Sequence, residues 1–349
     1  MQIPIIGGGI SGLAIALFLE RLGIKNRIYE QESFAGDFPA RAEVSLGVLT
    51  KPQTNVLKSI NRKFGLELSP TADLTRIVFH TATARAEVRG KLGQIIIRGR
   101  DKRSLDNQLY GELASRVKFS RRMTPEQLAP HAEYVVKANG EPLSTAKTRD
   151  IRMENVLLMG DFEPETMHIW HQSRLTSQGY GYLIPFSRRV ANLFLLTAKP
   201  FTRYPDNLLR ELLIAVSDDL RFTPDVLRTE TFKKTEGPAT KAAAVNILAI
   251  GNSLGSIHPM LGLDFLLAFE SAYQAAVSIA YHQNYIQRIK PLAKKINRLY
   301  LIQRKMETWS DTSFDLLLVL IAAGGTPFFN SRLDLMKIVD YALRPLPII

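Results

Sequence analysis

The chain opens on an apolar run, Ile3 to Ile6, breaks at Gly7-Gly8-Gly9, and resumes as an alanine- and leucine-rich stretch from Ser11 to Leu22. A few apolar residues bounded by glycine predict a short buried strand, and the stretch that follows predicts a helix ended by Gly23. Asn26 to Glu30 reads as a second strand and Leu46 to Leu66 as a helix. From Leu74 to Val88, and again from Gly93 to Arg98, β-branched residues and partial alternation predict strands, after which Arg103 to Arg116 predicts a helix. Strands are expected at Glu133 to Val136, in several runs between Asn155 and Thr197, and at Ile247 to Ile250; a helix is expected over Leu263 to Tyr281. Between Arg288 and Lys305, Ile289, Leu292, Ile296 and Leu299 recur at helical spacing, while seven lysines and arginines and no acid share the segment. Such a basic amphipathic helix can lie on anionic lipid, or pack on its own domain with a solvated basic face.

The first glycine break carries chemistry. Gly7 permits the tight turn, Gly9 lets the backbone approach a pyrophosphate, and Gly12 lets the next helix pack against the sheet. The N-terminal N–H groups of that helix, with Ile10 and Ser11 in its first turn, point where phosphate would sit. Glu30 follows Gly12 by eighteen residues, the spacing at which an acid hydrogen-bonds adenosine ribose hydroxyls. Its charge repels a 2′-phosphate, so FAD or NAD is favoured over NADP. A second glycine segment ends the strand near residue 250, where Gly251 brings backbone close to a ligand and Asn252 can reach sugar-like hydroxyls. Pro259 and Gly262 then precede a helix whose free N–H groups can polarise a ring edge.

At 349 residues and 46% hydrophobic content, the chain can bury a large core and divide into two domains. It has no cysteine, which excludes disulfides, thiolate metal sites and a cysteine nucleophile, so redox chemistry must come from a cofactor. His80, His168 and His171 lack the partners of a zinc site, no metal is expected, and no G-x-S-x-G motif argues for hydrolysis. The net charge of +12 is unevenly placed, with a dense share in the Arg288 to Lys305 stretch, which is expected to lack interleaved exposed aromatics and is accompanied by no recognition motif, so nucleic acid is not an expected partner. No apolar run is long enough to span a bilayer and no leader pattern precedes Ile3. The expectation is a cytoplasmic protein, with peripheral contact on the inner face of a membrane as the option the basic helix leaves open.

Strands that interrupt the strand–helix alternation after residue 72 argue against an ordinary NAD-linked dehydrogenase, and five segments together resemble a known family. They are Gly7 to Gly12 with Glu30 and Gln31; Pro39-Ala40-Arg41; Asp101-Lys102-Arg103-Ser104-Leu105-Asp106, similar to "DRxxFD"; Gly179 to Pro185, similar to "GYGWIFP"; and Gly251 to Gly262, similar to "GDAAGxxxPxxGxG". The chain resembles, from residue 3 to about 280, the flavoprotein monooxygenase superfamily with the para-hydroxybenzoate hydroxylase fold, and within it the FAD-dependent geranylgeranyl reductase group. That resemblance implies an α/β protein with a Rossmann-like FAD-binding domain (1–72, 96–145 and 240–285), an interleaved β-sheet substrate domain (73–95 and 146–239) and a C-terminal helical region (286–349).

The same resemblance implies noncovalent FAD held by Gly7, Gly9, Ile10, Ser11, Gly12, Glu30, Gln31, Arg41, Lys102, Arg103, Gly251, Asn252, Pro259, Gly262, Leu263 and Asp264. Trp170, Tyr180, Tyr182 and Ile184 would face the substrate, and His258 would donate the proton. The implied activity is reduction of isoprenoid double bonds in a prenyl lipid or quinone precursor, with NAD(P)H or ferredoxin as electron donor. The alternatives are an aromatic monooxygenase and a catalytically degenerate FAD-binding relative. The chain departs from the family pattern at Asn252, where aspartate is usual, at Asp264, where glycine is usual, at Lys137 of the "GADG" strand end, at Lys102 in place of arginine, and at Ala42, where some reductases carry cysteine.

Overall fold

The computed structural model describes residues 2–46, 55–176, 179–197, 205–255 and 264–316. Two sheets organise them. The first runs β13 (Ala243–Ala244), β14 (Ile247–Ala249), β7 (Val135–Lys137), β1 (Ile3–Ile6), β2 (Asn26–Tyr29), β6 (Val117–Lys118), parallel throughout except for β13. Every residue of β1 is buried, as a central strand covered on both faces requires. The helix after it, α1 (Ile10–Arg21), is apolar on nearly all sides because it is enclosed between this sheet and α7 (Asp264–Ala280).

The second sheet runs β12 (Asp225–Glu236), β8 (Arg149–Met159), β11 (Val190–Thr197), β10 (Tyr180–Pro185), β9 (Thr166–Trp170), β4 (Ala72–His80), β5 (Arg85–Arg98), β3 (Arg41–Leu46), antiparallel except where β4 meets β9. Its two faces divide by alternation. Tyr182, Ile184, Phe194 and Leu196 join the core shared with the nucleotide-type sheet, whereas Trp170, Leu183, Leu193 and Leu195 form a second core beneath α6 (Pro205–Leu220). The buried Asn192 ties the sheet together: its Oδ1 accepts the Ala42 N–H at 2.8 Å and its Nδ2 donates to Asn155 Oδ1 at 2.7 Å.

Several elements differ in extent from the sequence expectation. Residues 41–46 and 96–98, expected beside the glycine motif, are hydrogen-bonded into the second sheet through β3 and β5. The helix expected over Leu46 to Leu66 is α2 (Val56–Phe64), capped by Asn55, whose Oδ1 accepts the Lys58 N–H at 2.8 Å, and closed by Gly65 at φ +62. The helix expected from Arg103 is α3 (Leu105–Gly111), because Ser104 caps it by accepting the Asn107 N–H at 3.2 Å. A short α4 (Pro125–Leu128) and α5 (Ser173–Thr176) lie in connections, and the basic segment is the continuous helix α8 (Tyr285–Met306), with Pro291 inside it. Among the described residues no helix is long and apolar enough to cross a membrane.

Candidate cofactor and substrate cleft

The glycine turn is built by exclusion. Gly7 sits at φ +103, and a side chain there would place its Cβ 2.7 Å from the Ala138 carbonyl oxygen on β7's end. At Gly12 a Cβ would fall 1.9 Å from Gly7 O, so helix and turn can touch only through glycine. Gly9 is different: a Cβ there meets nothing within 4 Å. Gly9 is also the N-cap of α1, makes no side-chain cap bond, and no acid occupies the helix's first turn. The N-terminal end of α1 therefore opens onto free space with unsatisfied N–H groups, the electrostatic signature of an anion site.

Beside it, Glu30 Oε2 accepts the Gly8 N–H and Oε1 accepts the Glu32 N–H at 2.9 Å, which fixes the carboxylate at the end of β2. The second glycine segment meets the first: Gly251, at φ +56, would drive a Cβ to 2.0 Å from Ser11 Oγ, and its N–H donates to Ser271 Oγ of α7 at 2.9 Å. Asn252, in the single 3₁₀ turn that follows, lines the same space. Two motifs more than two hundred residues apart thus form one wall.

That wall borders a cavity of about 540 Å³ between the two sheets. On the first-sheet side it is lined by Gly7, Gly9, Ile10, Ser11, Glu30 and Gln31; opposite lie Val44, Met153, Met167, Tyr182 and Phe194. Tyr182 and Phe194 stack with centroids 4.8 Å apart. Part of the cavity's charge is organised as a network. Arg41 pairs with Glu43 at 3.1 Å and lies over the Phe38 ring, while the deeply set Arg98 grips Asp106 at 2.8 and 3.0 Å and reaches Glu43 at 3.5 Å. Burial pushes the Asp106 and Glu43 carboxyls up, but the Arg98 charge, with its hydrogen bonds to Asp106 and the Arg41 charge, outweighs burial and holds both below their ordinary values. Both stay ionised.

Sequence reasoning missed the loop after β6, where Arg121 to Pro125 closes the cavity's outer end and is pinned by Arg121 N–H donating to Glu30 O at 2.7 Å. It also missed Glu43, Arg98, Phe232 and Lys234. The basic pair before Thr-Pro was a visible signal for the loop; the other four become neighbours only through sheet register.

Other expected site residues lie elsewhere. Lys102 and Arg103 are exposed and outside the cavity lining; Arg103 is held by Asp101 at 3.0 Å, and the working part of that motif is Asp106. Trp170 is paired across the ladder with Gly181 and points under α6, away from the cavity, because one step along a strand reverses the face. Tyr180 and Ile184 are on Tyr182's face but packed into core, outside the cavity lining; burial, with Glu307 and Glu236 nearby, raises the Tyr180 hydroxyl well above its usual range. Gly12 is a packing position. His258, Pro259, Gly262 and Leu263 lie outside the described residues, and Asp264 is the first residue of α7. Lys137 ends β7 buried, its Nζ donating to Asn139 Oδ1 at 2.8 Å and Glu141 Oε2 at 3.3 Å.

No protein-family model matches the sequence, nor does any curated protein. Solved structures do match. A geranylgeranyl bacteriochlorophyll reductase-like protein from Thermoplasma acidophilum superposes with a TM-score of 0.72 at 12% identity, over 98% of this chain and 95% of that one. The flavin-dependent brominase Bmp2 gives 0.64 at 12% identity, over 98% of each chain. Aklavinone-11 hydroxylase, solved with FAD and aklavinone, gives 0.60 at 14% identity, over 86% of this chain and 68% of the other. The chain shares the fold of these three solved proteins. The Rossmann-like sheet, the interleaved strands and the helical C-terminal region expected from the motifs are all features of this one architecture. At these identities the likeness concerns the fold.

Proposed function

We propose that the protein is an FAD-dependent oxidoreductase that reduces isoprenoid carbon–carbon double bonds in a prenyl lipid or quinone precursor. The observation that carries the cofactor is the open, uncapped helix start at Gly9, flanked by Glu30 and facing a cavity that Asn252 of the second glycine segment also lines. The residues present fit FAD: N–H groups at Gly9 to Ser11 would hold the pyrophosphate, Glu30 a ribose, and Asn252 a hydroxylated chain, with Pro259, Gly262, Leu263 and Asp264 assigned to the ring end. When bound, FAD supplies two-electron redox chemistry that no side chain of this cysteine-free protein offers. NAD(P)H or ferredoxin would supply the electrons.

The chain's own part is to exclude water and hold the substrate. Val44, Met153, Met167 and Phe194 make an apolar floor suited to a prenyl chain, and the carboxylate near it, Glu43, is kept ionised by two arginines, so it is a poor proton donor. His258, in the segment between Asn252 and α7, is the proposed donor. The basic face of α8, with Lys290, Lys294 and Lys295 exposed, would hold the protein on anionic lipid where such a substrate resides. A second reading, aromatic hydroxylation, is favoured by the stacked Tyr182–Phe194 pair, which offers a planar wall to a ring. Anaerobic incubation of the reduced protein with a prenyl lipid and, in parallel, aerobic incubation with a phenol, each followed by mass spectrometry, separate them. Saturated double bonds support the reductase; an oxygenated product that appears only with a phenol and dioxygen replaces it with the hydroxylase.

A further inference from the structure

The face of the second sheet that turns away from the glycine motif carries a cavity of its own, about 220 Å³, beside the end of α6. One wall is a chain of hydrogen bonds that runs from the half-buried Asp219 to buried rings. Asp219 Oδ2 accepts the Trp170 indole N–H at 2.7 Å and lies 3.1 Å from His80 Nδ1; His80 Nε2 in turn lies 3.0 Å from His168 Nδ1. The rings stack, with His80 and Trp170 within 8° of parallel at 4.8 Å. An ionised carboxylate only accepts, so His80 Nδ1 carries a proton; His80 Nε2 and His168 Nδ1 share one proton between them, and the His168 atom left free of the chain is Nε2. His168 is 7% exposed and lines the cavity, and its Nε2 has no hydrogen-bond partner among the described residues. Burial first, then the neighbouring His80, Arg76 and Arg85, push the His168 pKa down to about 3, so this ring is neutral at neutral pH.

The remaining charges are mostly spent. Arg76 is bound by Glu87 at 2.6 Å and by Glu163, Asp161 is bound by Arg188 at 2.9 Å, and Asp219 serves His80 and Trp170. Arg85 alone of the lining cations has no hydrogen bond or ion pair among the described residues. Phe162, Leu183 and Phe222 make the other walls apolar, which suits a ring better than a bare inorganic ion. A cavity of about 150 Å³ accommodates benzene, so this one has room for one substituted ring and none for a dinucleotide or a prenyl chain.

We propose that this cavity is a second ligand site, separate from the cofactor cleft, for a single-ring hydroxylated aromatic acid: its hydroxyl hydrogen-bonds His168 Nε2, its ring packs against Phe162, Leu183 and Phe222, and its carboxylate meets Arg85. The inference stands independently of flavin binding.

The test titrates 3-hydroxybenzoate into the full-length protein by calorimetry, with benzoate as the control that lacks the hydroxyl. In parallel, diethyl pyrocarbonate labelling mapped by peptide mass spectrometry reads His168 directly. Saturable binding is expected, weakened about tenfold or more for benzoate, for His168→Leu and for the exposed Arg85→Ala, the loss typical of one hydrogen bond to a charged or buried partner. Tyr182→Leu, in the other cleft, should leave the affinity unchanged, and His168 should be labelled in the free protein and protected by ligand. No binding, affinity indifferent to Arg85→Ala, affinity lost with Tyr182→Leu, or an unreactive His168 each overturns the proposal. Because Arg85 is exposed, a folded Arg85→Ala protein keeps the test decisive even if His168→Leu fails to fold.

Discussion

Replacing Gly12 and Gly9 separately with alanine separates the packing role of the glycine turn from its ligand role. At Gly12 the new Cβ would sit 1.9 Å from Gly7 O, far inside contact distance, and the atom it meets is backbone at the end of a fully buried strand. Alanine gains about 1 kcal/mol of helix propensity there. Overpacking against an immobile neighbour costs about 3 kcal/mol or more, so Gly12→Ala should lose about 2 kcal/mol or more of stability. At Gly9 the Cβ meets nothing within 4 Å, and the only folding cost is the poorer N-cap, about 1 kcal/mol at most. Yet the same methyl enters the space in which phosphate oxygens would contact the α1 amides. Urea denaturation and flavin absorbance of the purified variants read the two effects apart. Gly9→Ala should fold like the parent and retain at least tenfold less FAD, whereas Gly12→Ala should fail in both. A Gly9→Ala protein with full flavin occupancy would refute the reasoning, as would a Gly12→Ala protein of parental stability.

Other expectations follow from the same geometry. Asp106→Asn strands the buried Arg98 and should cost about 3 kcal/mol in chemical denaturation, since Asp106 is 0% exposed and takes both arms of that guanidinium. Stability should fall with acid as the unfolded His168 takes up a proton near pH 6.5 that the folded site refuses until about pH 3; its share of the loss begins near 6.5 and reaches about 2 kcal/mol by pH 5, and His168→Gln should lack that share, keeping only the part due to the buried His171, when stabilities from urea denaturation at pH 7.5 and 5 are compared. Tyr182→Leu should keep its flavin spectrum but raise the apparent KM for the reducible substrate severalfold, because the ring lines the cavity's substrate side and not the glycine wall.

What could be seen in the sequence was whatever is local. The turn from Gly7 to Gly12, the buried strand before it and the approach of Gly251 each follow from a few adjacent residues, and the structure joins them because Gly251 has no side chain to keep Ser11 away. Orientation was harder: placing Trp170 beside Tyr182 assumed a common face, whereas the β9–β10 register pairs Trp170 with Gly181 and sends it under α6. Charge networks were harder still. Glu43, Arg98 and Asp106 come from two strands and a helix, and nothing near Arg98 in sequence shows that its partners lie on β3 and α3. The Asp219–His80–His168 chain likewise draws on α6, β4 and β9, so histidines weighed in the sequence only as zinc ligands are partners of one another.

The most direct measurement is the flavin stoichiometry of the purified full-length protein, read by absorbance after denaturation and by calorimetric titration of FAD into flavin-free protein. The account predicts about one FAD per chain, bound noncovalently and lost on Gly9→Ala. A folded, colourless protein that takes up no added FAD would contradict it.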